Sequence, residues 1–423
     1  MPTYTIWTIG CQMNKAESQR VAESLETLGY DFTPVIHKAD LIVLNTCVVR
    51  KSAEDRVLGM LGYLKGIKRD NPKAFIVVTG CFVDSQIKEL MKRYPHVTYF
   101  CQPGDHIDLA RLVQQMHCND KAQNMHEHQV RPIAYVPIIQ GCNNYCSYCI
   151  VPYRRGREQS RPLSEIITEV KSLVNRGCKE VILVGQNVNS YGHDLLDDIS
   201  LDKLLIILNR MDGLYRIRFL TNHPKDMSLK LIKAMSLLGK VCEHINLPLQ
   251  SGDDGILKYM KRDYTGEQYS NLVTTVRSYI PELALSTDII VGFPGETEEQ
   301  FQRTLDLVRE IRFDTVHVAA YSPRYGTLAC KQFDDNVPPN VKKERFEKLE
   351  AIQTQIATQK NIQFRDKKVE ILVEGKKKGK WYGRTRSDKL VFFEDGKVYL
   401  GQLVNIVISK TSPWSLQGEV ENS

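Results

Sequence analysis

No stretch of the 423 residues comes near about eighteen consecutive apolar positions, so no membrane-spanning helix is expected. A composition of 42% hydrophobic and 25% charged residues excludes a disordered chain and suits two to four folded domains. The net charge of +7 permits a polyanionic partner without demanding one, and the opening residues Met1–Trp7 lack the charged and apolar regions of a secretory signal. Eleven cysteines, an odd number in a chain of this kind, point to metal or catalytic use in a reducing cytoplasm rather than to disulfides.

Residues 1–118 alternate strand and helix patterns. Tyr4–Ile9 reads as a strand, Ala16–Leu28 as a helix with Val21, Leu25 and Leu28 on one face, and Leu41–Leu44 as a buried strand. A helix carrying Val57, Leu58, Leu61 and Leu64 follows, then strand Ala74–Val78 and helix Gln86–Tyr94. This order predicts a parallel, doubly wound sheet. Cys11, Cys47 and Cys81 each fall just past a predicted strand. In a parallel sheet those positions share one edge, where ligands bind. Three buried small hydrophobes would be the plain alternative.

Residues 119–131 read as a linker; His106, His117, His126 and His128 around it match no metal-site spacing. From 132 to 360 the βα pattern resumes, with strands at Tyr135–Ile139, Glu180–Val184, Arg216–Phe219, His244–Leu247, Ala284–Val291 and Thr315–Ala319. Six such units predict an incomplete parallel barrel whose chemistry sits at the C-terminal strand ends. After the first strand comes Gly141-Cys142-Asn143-Asn144-Tyr145-Cys146-Ser147-Tyr148-Cys149. Thiolates are soft ligands, and a closed zinc site wants four. Three cysteines at C-x3-C-x2-C spacing therefore suit an iron–sulfur cluster with one open iron better than zinc. Gln186, Asn187, Gln250 and Ser251 lie at later strand ends and offer hydrogen bonds to a ligand. Asp288 sits inside an apolar strand, so it should face the barrel mouth or a cation. Arg154, Arg155, Arg157 and Arg161 are candidates to hold a phosphate backbone or orient a substrate, or form a solvated face.

A long charged helix is expected over 341–363, overlapping the start of the last domain, 361–423. There the pattern changes to five short strands punctuated by glycines, predicting a small antiparallel, OB-like barrel. This segment holds 12 Lys+Arg against 8 Asp+Glu. Lys376, Lys377, Lys378, Lys380, Trp381, Arg384 and Arg386 interleave basic and aromatic groups, as nucleic-acid surfaces do.

Together these parts resemble the methylthiotransferases of the radical S-adenosylmethionine superfamily over essentially the full length. The motifs are Gly10-Cys11-Gln12-Met13-Asn14, Asn45-Thr46-Cys47, Gly80-Cys81, the cysteine loop with Tyr148 before its last cysteine, Gly185-Gln186-Asn187-Val188, Leu249-Gln250-Ser251-Gly252 and Val291-Gly292-Phe293-Pro294-Gly295. One small departure is Tyr325, where the family commonly has a proline. The Cys-Gln-Met-Asn form resembles the subfamily that methylthiolates C2 of N6-dimethylallyladenosine at position 37 of tRNA. Relatives acting on threonylcarbamoyladenosine or on a ribosomal protein usually differ there. A non-catalytic iron–sulfur RNA-binding protein is the remote alternative. The resemblance implies two [4Fe–4S] clusters, held by Cys142, Cys146 and Cys149 and by Cys11, Cys47 and Cys81. It implies S-adenosylmethionine as radical source and methyl donor, with Tyr148, Gln186, Asn187, Gln250, Ser251 and Asp288 as candidate contacts. It also implies a C-terminal TRAM domain, a tRNA anticodon stem-loop as substrate, a one-electron donor such as a flavodoxin or ferredoxin, and a sulfur donor. No catalytic acid or base is singled out.

Overall fold

The computed structural model describes residues 1–104, 131–196 and 198–421. The four histidines of the expected linker and Cys118 lie outside the described residues.

The first domain is a five-stranded parallel sheet in the order β2-β1-β3-β4-β5. Its strands are β1 (Thr3–Thr8), β2 (Asp31–Phe32), β3 (Leu41–Thr46), β4 (Phe75–Gly80) and β5 (Tyr99–Phe100). β3 is buried along its whole length, as a central strand covered on both faces must be. Strand alternation divides its apolar run: Leu41 and Val43 pack with Val21 and Leu25 of helix Gln12–Thr27. Ile42 and Leu44 pack on the other face with Val57, Leu61 and Leu64 of helix Lys51–Asp70. β2 and β5 have two residues each, too short to leave a period in the sequence. The first helix starts at Gln12 rather than Ala16, because Cys11 caps it in extended backbone with no side-chain bond to announce it.

The central domain contains the six expected parallel strands: β6 (Ile133–Pro137), β9 (Glu180–Val184), β10 (Arg216–Phe219), β11 (His244–Asn246), β12 (Ala284–Val291) and β13 (Thr315–Ala320). They form two three-stranded sheets, β6-β9-β10 and β11-β12-β13, joined by a single bridge between Ile217 and Val241. Between β6 and β9, β7 (Ile139–Gln140) pairs antiparallel with β8 (Gln159–Ser160) and clasps the neck of the cysteine loop. Such an open barrel leaves an inner face uncovered. Met13 and Ala16 of the first domain's helix cover it, packing on Ile182 and Val184 with Tyr135 and Leu220 alongside.

Helix Pro339–Asn361 leads to a closed five-stranded barrel, β14 (Lys368–Lys377), β15 (Lys380–Arg384), β16 (Leu390–Phe393), β18 (Leu416–Val420) and β17 (Leu403–Thr411) in spatial order. The small barrel docks at the end of the central domain where the strands begin. Arg216 donates to the carbonyls of Arg384 and Glu370 at 2.7 and 3.3 Å, and Arg218 to those of Arg386 and Thr385 at 2.7 and 2.6 Å. Lys389 and Lys360 both reach Asp314, at 2.9 and 2.5 Å.

Glu374 lies in this interface. Burial, with Glu180 and Asp388 nearby, outweighs Arg384 and pushes its carboxyl from an ordinary 4.5 up to about 7. The folded protein therefore holds an extra proton between those values, so this group's stabilisation is lost as pH rises through about 7. Glu374→Gln removes that dependence. In thermal melts the variant's advantage over wild type should grow from about pH 4.5 to about pH 7 and then level off. An advantage that does not change with pH would contradict this placement of the carboxyl.

Candidate active site

The cysteine loop hangs from the β7–β8 clasp. Gly141 turns it with φ +79°; a Cβ there would sit 2.0 Å from the Arg157 carbonyl oxygen. Its N–H donates to Gln186 Oε1 at 2.6 Å, and the Ser147 hydroxyl donates to the Tyr259 carbonyl at 2.6 Å. The three thiols are buried or half-buried and close enough to repel one another as thiolates. Burial pushes Cys142 up to about 11 and Cys149 higher still, the latter with Cys146 adding to the effect. Arg262 Nη1 donates to Cys146 Sγ at 3.4 Å and its Nη2 to the Pro248 carbonyl at 2.9 Å.

Cys11, Cys47 and Cys81 follow β1, β3 and β4, three neighbouring central strands, and converge as the topology requires. Burial pushes Cys47 up to about 12, with Cys81 and Cys11 contributing. Two glycines permit this approach. A Cβ on Gly10 would lie 2.5 Å from Cys47 Cβ, and one on Gly80 2.3 Å from the Thr46 carbonyl oxygen. Asn14 ties the loops together, donating to the carbonyls of Ile9 and Thr46 at 2.9 and 2.8 Å. Asn45 donates back to the Asn14 carbonyl at 2.9 Å.

Among the described residues no three His, Cys, Asp or Glu side chains close on a single ion. Both triads are more open than that. Three soft sulfurs that repel one another as thiolates fit a multi-iron cluster, whose positive core relieves the repulsion.

The other expected site residues divide. Asn187 Oδ1 and Gln250 Oε1 are buried with no hydrogen-bond partner among the described residues, so each can accept a bond from a ligand. Asn222 Oδ1 is a third such atom that the sequence reading did not single out. These residues follow β9, β11 and β10, at the end where chemistry was expected. Asp288 does meet a cation, Arg50 of the first domain, at 3.3 Å, and accepts from Asn246 at 3.2 Å. Tyr148 packs in an apolar cluster with Phe293 and Tyr321. Gln186 holds the cysteine loop by its Oε1. Ser251 must be corrected: it is fully buried, and its hydroxyl accepts from the Asp253 N–H at 3.2 Å and faces Thr304, so it does not reach toward a ribose or carboxylate.

The arginines after the loop are not a free basic face. Arg154 pairs with Asp84 at 2.5 Å, Arg161 with Glu169 at 2.7 Å, and Arg155 with Glu17 at 2.6 Å. Arg324 similarly reaches Glu54 at 2.7 Å. Among the described residues only Arg157 of the four is exposed and forms no ion pair, so the expectation of a phosphate-binding cluster is corrected: Arg154 and Arg155 bind across the seam to the first domain, and Arg161 binds within the central domain.

In the C-terminal barrel, Lys376, Lys377 and Lys378 are exposed. Lys380 pairs with Glu394 at 2.9 Å. Three further candidates are corrected. Trp381 belongs to the barrel core and is not open to a base. Arg384 is engaged by Asp388 and Glu374 at 3.3 and 3.4 Å. Arg386 clamps Glu243 at 2.6 Å and the Val241 carbonyl at 2.6 Å, fastening the barrel to the central domain.

Comparison with known proteins matches residues 3–102 to the Uncharacterized protein family UPF0004, 136–308 to the Radical SAM superfamily and 364–420 to the TRAM domain. A tRNA-2-methylthio-N(6)-dimethylallyladenosine synthase of Dehalococcoides mccartyi is 47% identical, covering 100% of this chain and 99% of that protein. The chain belongs to that synthase family. A second member, from Chloroflexus aurantiacus, is 46% identical over 98% of this chain and 91% of its own. Among solved structures, the radical S-adenosylmethionine methyltransferase TsrM from Kitasatospora setae, with cobalamin and a [4Fe-4S] cluster bound, superposes with a TM-score of 0.57 at 14% identity, covering 78% of this chain and 77% of that one. At that identity it shares the fold alone.

Gly10→Ala tests how tightly the second triad is built, because its Cβ would meet Cys47 at a backbone of φ +133°. After anaerobic reconstitution, iron analysis should find about four irons in place of about eight. Gly59→Ala, with open space around it, should match wild type.

Proposed function

We propose that this protein methylthiolates C2 of N6-dimethylallyladenosine at position 37 of tRNA, with Cys142, Cys146 and Cys149 holding one [4Fe–4S] cluster and Cys11, Cys47 and Cys81 a second. The observation that supports this most directly is that Cys81 of one triad packs with Ile150, the neighbour of Cys149 of the other, across the seam between the two domains. When bound, these groups and S-adenosylmethionine supply radical removal of the C2 hydrogen, which no polar base can take as a proton at pH 7, and delivery of a methylthio group.

The chain's own residues supply position and dryness. Asn187, Asn222 and Gln250 offer their unpartnered oxygens to the amino and hydroxyl donors of S-adenosylmethionine. Gln186 fixes the cysteine loop through the Gly141 N–H. Arg50, Glu54, Asp288 and Arg324 pair across the mouth and limit water entry. The adenine must leave its loop stack to enter such a site. The exposed Lys376–Lys378 hairpin gives the tRNA backbone a cationic contact. A flavodoxin or ferredoxin as electron source, and a sulfur donor, complete the proposed partners.

Nucleosides from tRNA of cells lacking this protein should lose the 2-methylthio form and accumulate N6-dimethylallyladenosine, read by mass spectrometry. An unchanged profile would overturn the assignment. In vitro, replacing Cys11, Cys47 and Cys81 by Ala should abolish methylthiolation while 5′-deoxyadenosine release persists. Replacing Cys142, Cys146 and Cys149 should end both. Replacing Lys376, Lys377 and Lys378 by Ala should weaken tRNA binding and flatten its salt dependence by about 0.7 to 0.9 units per lost phosphate contact. Binding that matches wild type at every salt concentration would remove that hairpin from the RNA interface.

A further inference from the structure

Arg155 lies six positions after Cys149, on the short helix Val151–Arg155 of the central domain. Its side chain crosses into the first domain and is almost completely buried there. Each of its three nitrogens is engaged. Nη1 and Nη2 grip Glu17 at 2.6 and 3.2 Å, Nη2 also reaches Asn14 Oδ1 at 3.4 Å, and Nε donates to Cys81 Sγ at 3.2 Å. Glu17 and Asn14 sit on the helix that begins right after Cys11. One guanidinium thus contacts a sulfur of the second triad and the helix that carries the first of its cysteines. It is delivered by the backbone that carries the other triad.

We infer that Arg155 is a positioning residue for the Cys11–Cys47–Cys81 cluster, setting its reduction potential by a hydrogen bond to the Cys81 thiolate from the opposite domain. The inference rests on reading that triad as a cluster site.

The physical basis is direct. A hydrogen bond to a ligating sulfur withdraws electron density and favours the reduced, more negative cluster, so it raises the potential. Glu17 offsets the net charge of the guanidinium, leaving a directed N–H on the sulfur as the acting element. The fork geometry is specific to arginine: a lysine ammonium cannot grip both carboxylate oxygens and the thiolate from the same stem. The neighbouring Arg154 supplies an internal comparison. It also crosses the seam, pairing with Asp84, but touches no sulfur.

The experiment uses the full chain with Cys142, Cys146 and Cys149 replaced by Ala, so that only the second cluster is read. Iron content, the electron paramagnetic resonance of the reduced state and the midpoint potential are measured. Into this background go Arg155→Gln together with Glu17→Gln, which avoids a buried unpaired carboxylate, and separately Arg155→Lys and Arg154→Gln. The double variant should keep about four irons, move the potential negative and change the resonance. Arg154→Gln should keep its iron and leave both potential and resonance unchanged. A wild-type potential in the double variant overturns the inference, as does an equal shift in Arg154→Gln, which would assign the effect to docking. If the double variant binds no iron, Arg155→Lys decides. Iron with a shifted potential supports the inference, and either no iron or an unshifted potential overturns it. Absence of iron from the parent background would instead refute the cluster reading beneath it.

Discussion

Two buried charges hold the seam together, and neither is tolerable alone. Glu17 and Arg155 meet in a dry contact between the first and central domains, with side-chain exposures of 8% and 2%. Taking both ions out of water costs several kcal/mol each, and only good geometry with further hydrogen bonds offsets it. Here the fork grips both carboxylate oxygens, and two further hydrogen bonds go to Asn14 and Cys81. Removing either partner with the domains still docked would strand the other as a buried unpaired charge. The paired arrangement therefore favours one docking geometry over its neighbours, and the triads inherit that geometry.

The rest of the seam repeats the device at lower cost. Arg154–Asp84, Arg50–Asp288, Arg324–Glu54 and Arg20–Glu169 all cross between the same two domains, and apart from the buried Arg324 their side chains are partly exposed. Such pairs contribute little individually. Their value is directional: they fix the two domains' orientation while Met13 and Ala16 supply the apolar contact on the open inner face. At the opposite end, Arg216 and Arg218 hold the small barrel by its backbone carbonyls, and the barrel's own Arg386, Lys389 and Glu370 side chains bind back. The central domain thus has two ends with separate duties, one for chemistry and one for the C-terminal barrel.

Several motif residues serve geometry where ligand contact might be assumed. Asn14 and Asn45 stitch the strand ends that carry Cys11 and Cys47. Gly10 and Gly80 leave room for backbone and Cβ atoms within 2.5 Å of where their own Cβ would be. Gln186 holds the loop of the first triad. Arg262, on no recognisable motif, donates from a charged side chain to Cys146. Its position after the short helix Asp254–Tyr259 leaves no periodic or compositional trace.

The sequence by itself determined the local and topological facts. C-x3-C-x2-C spacing places three thiols on one loop whatever surrounds it. The βα order forces a parallel sheet, and a parallel sheet puts Cys11, Cys47 and Cys81 on one edge, so their convergence was legible from chain order alone. The five short strands likewise foretold the closed C-terminal barrel. Only the tertiary structure decided which polar groups were spoken for. Arg154, Arg155 and Arg161 read as a basic run because their partners, Asp84, Glu17 and Glu169, are distant in sequence or lie on another element. Trp381 and Tyr382 are adjacent aromatics, and a strand must send them to opposite faces; pairing of Trp381 with Lys376 and Phe393, past the irregularity between Val373 and Gly375, turned the tryptophan inward. Strand periodicity fixes alternation but not its phase, and the phase is set by register with partners elsewhere in the chain.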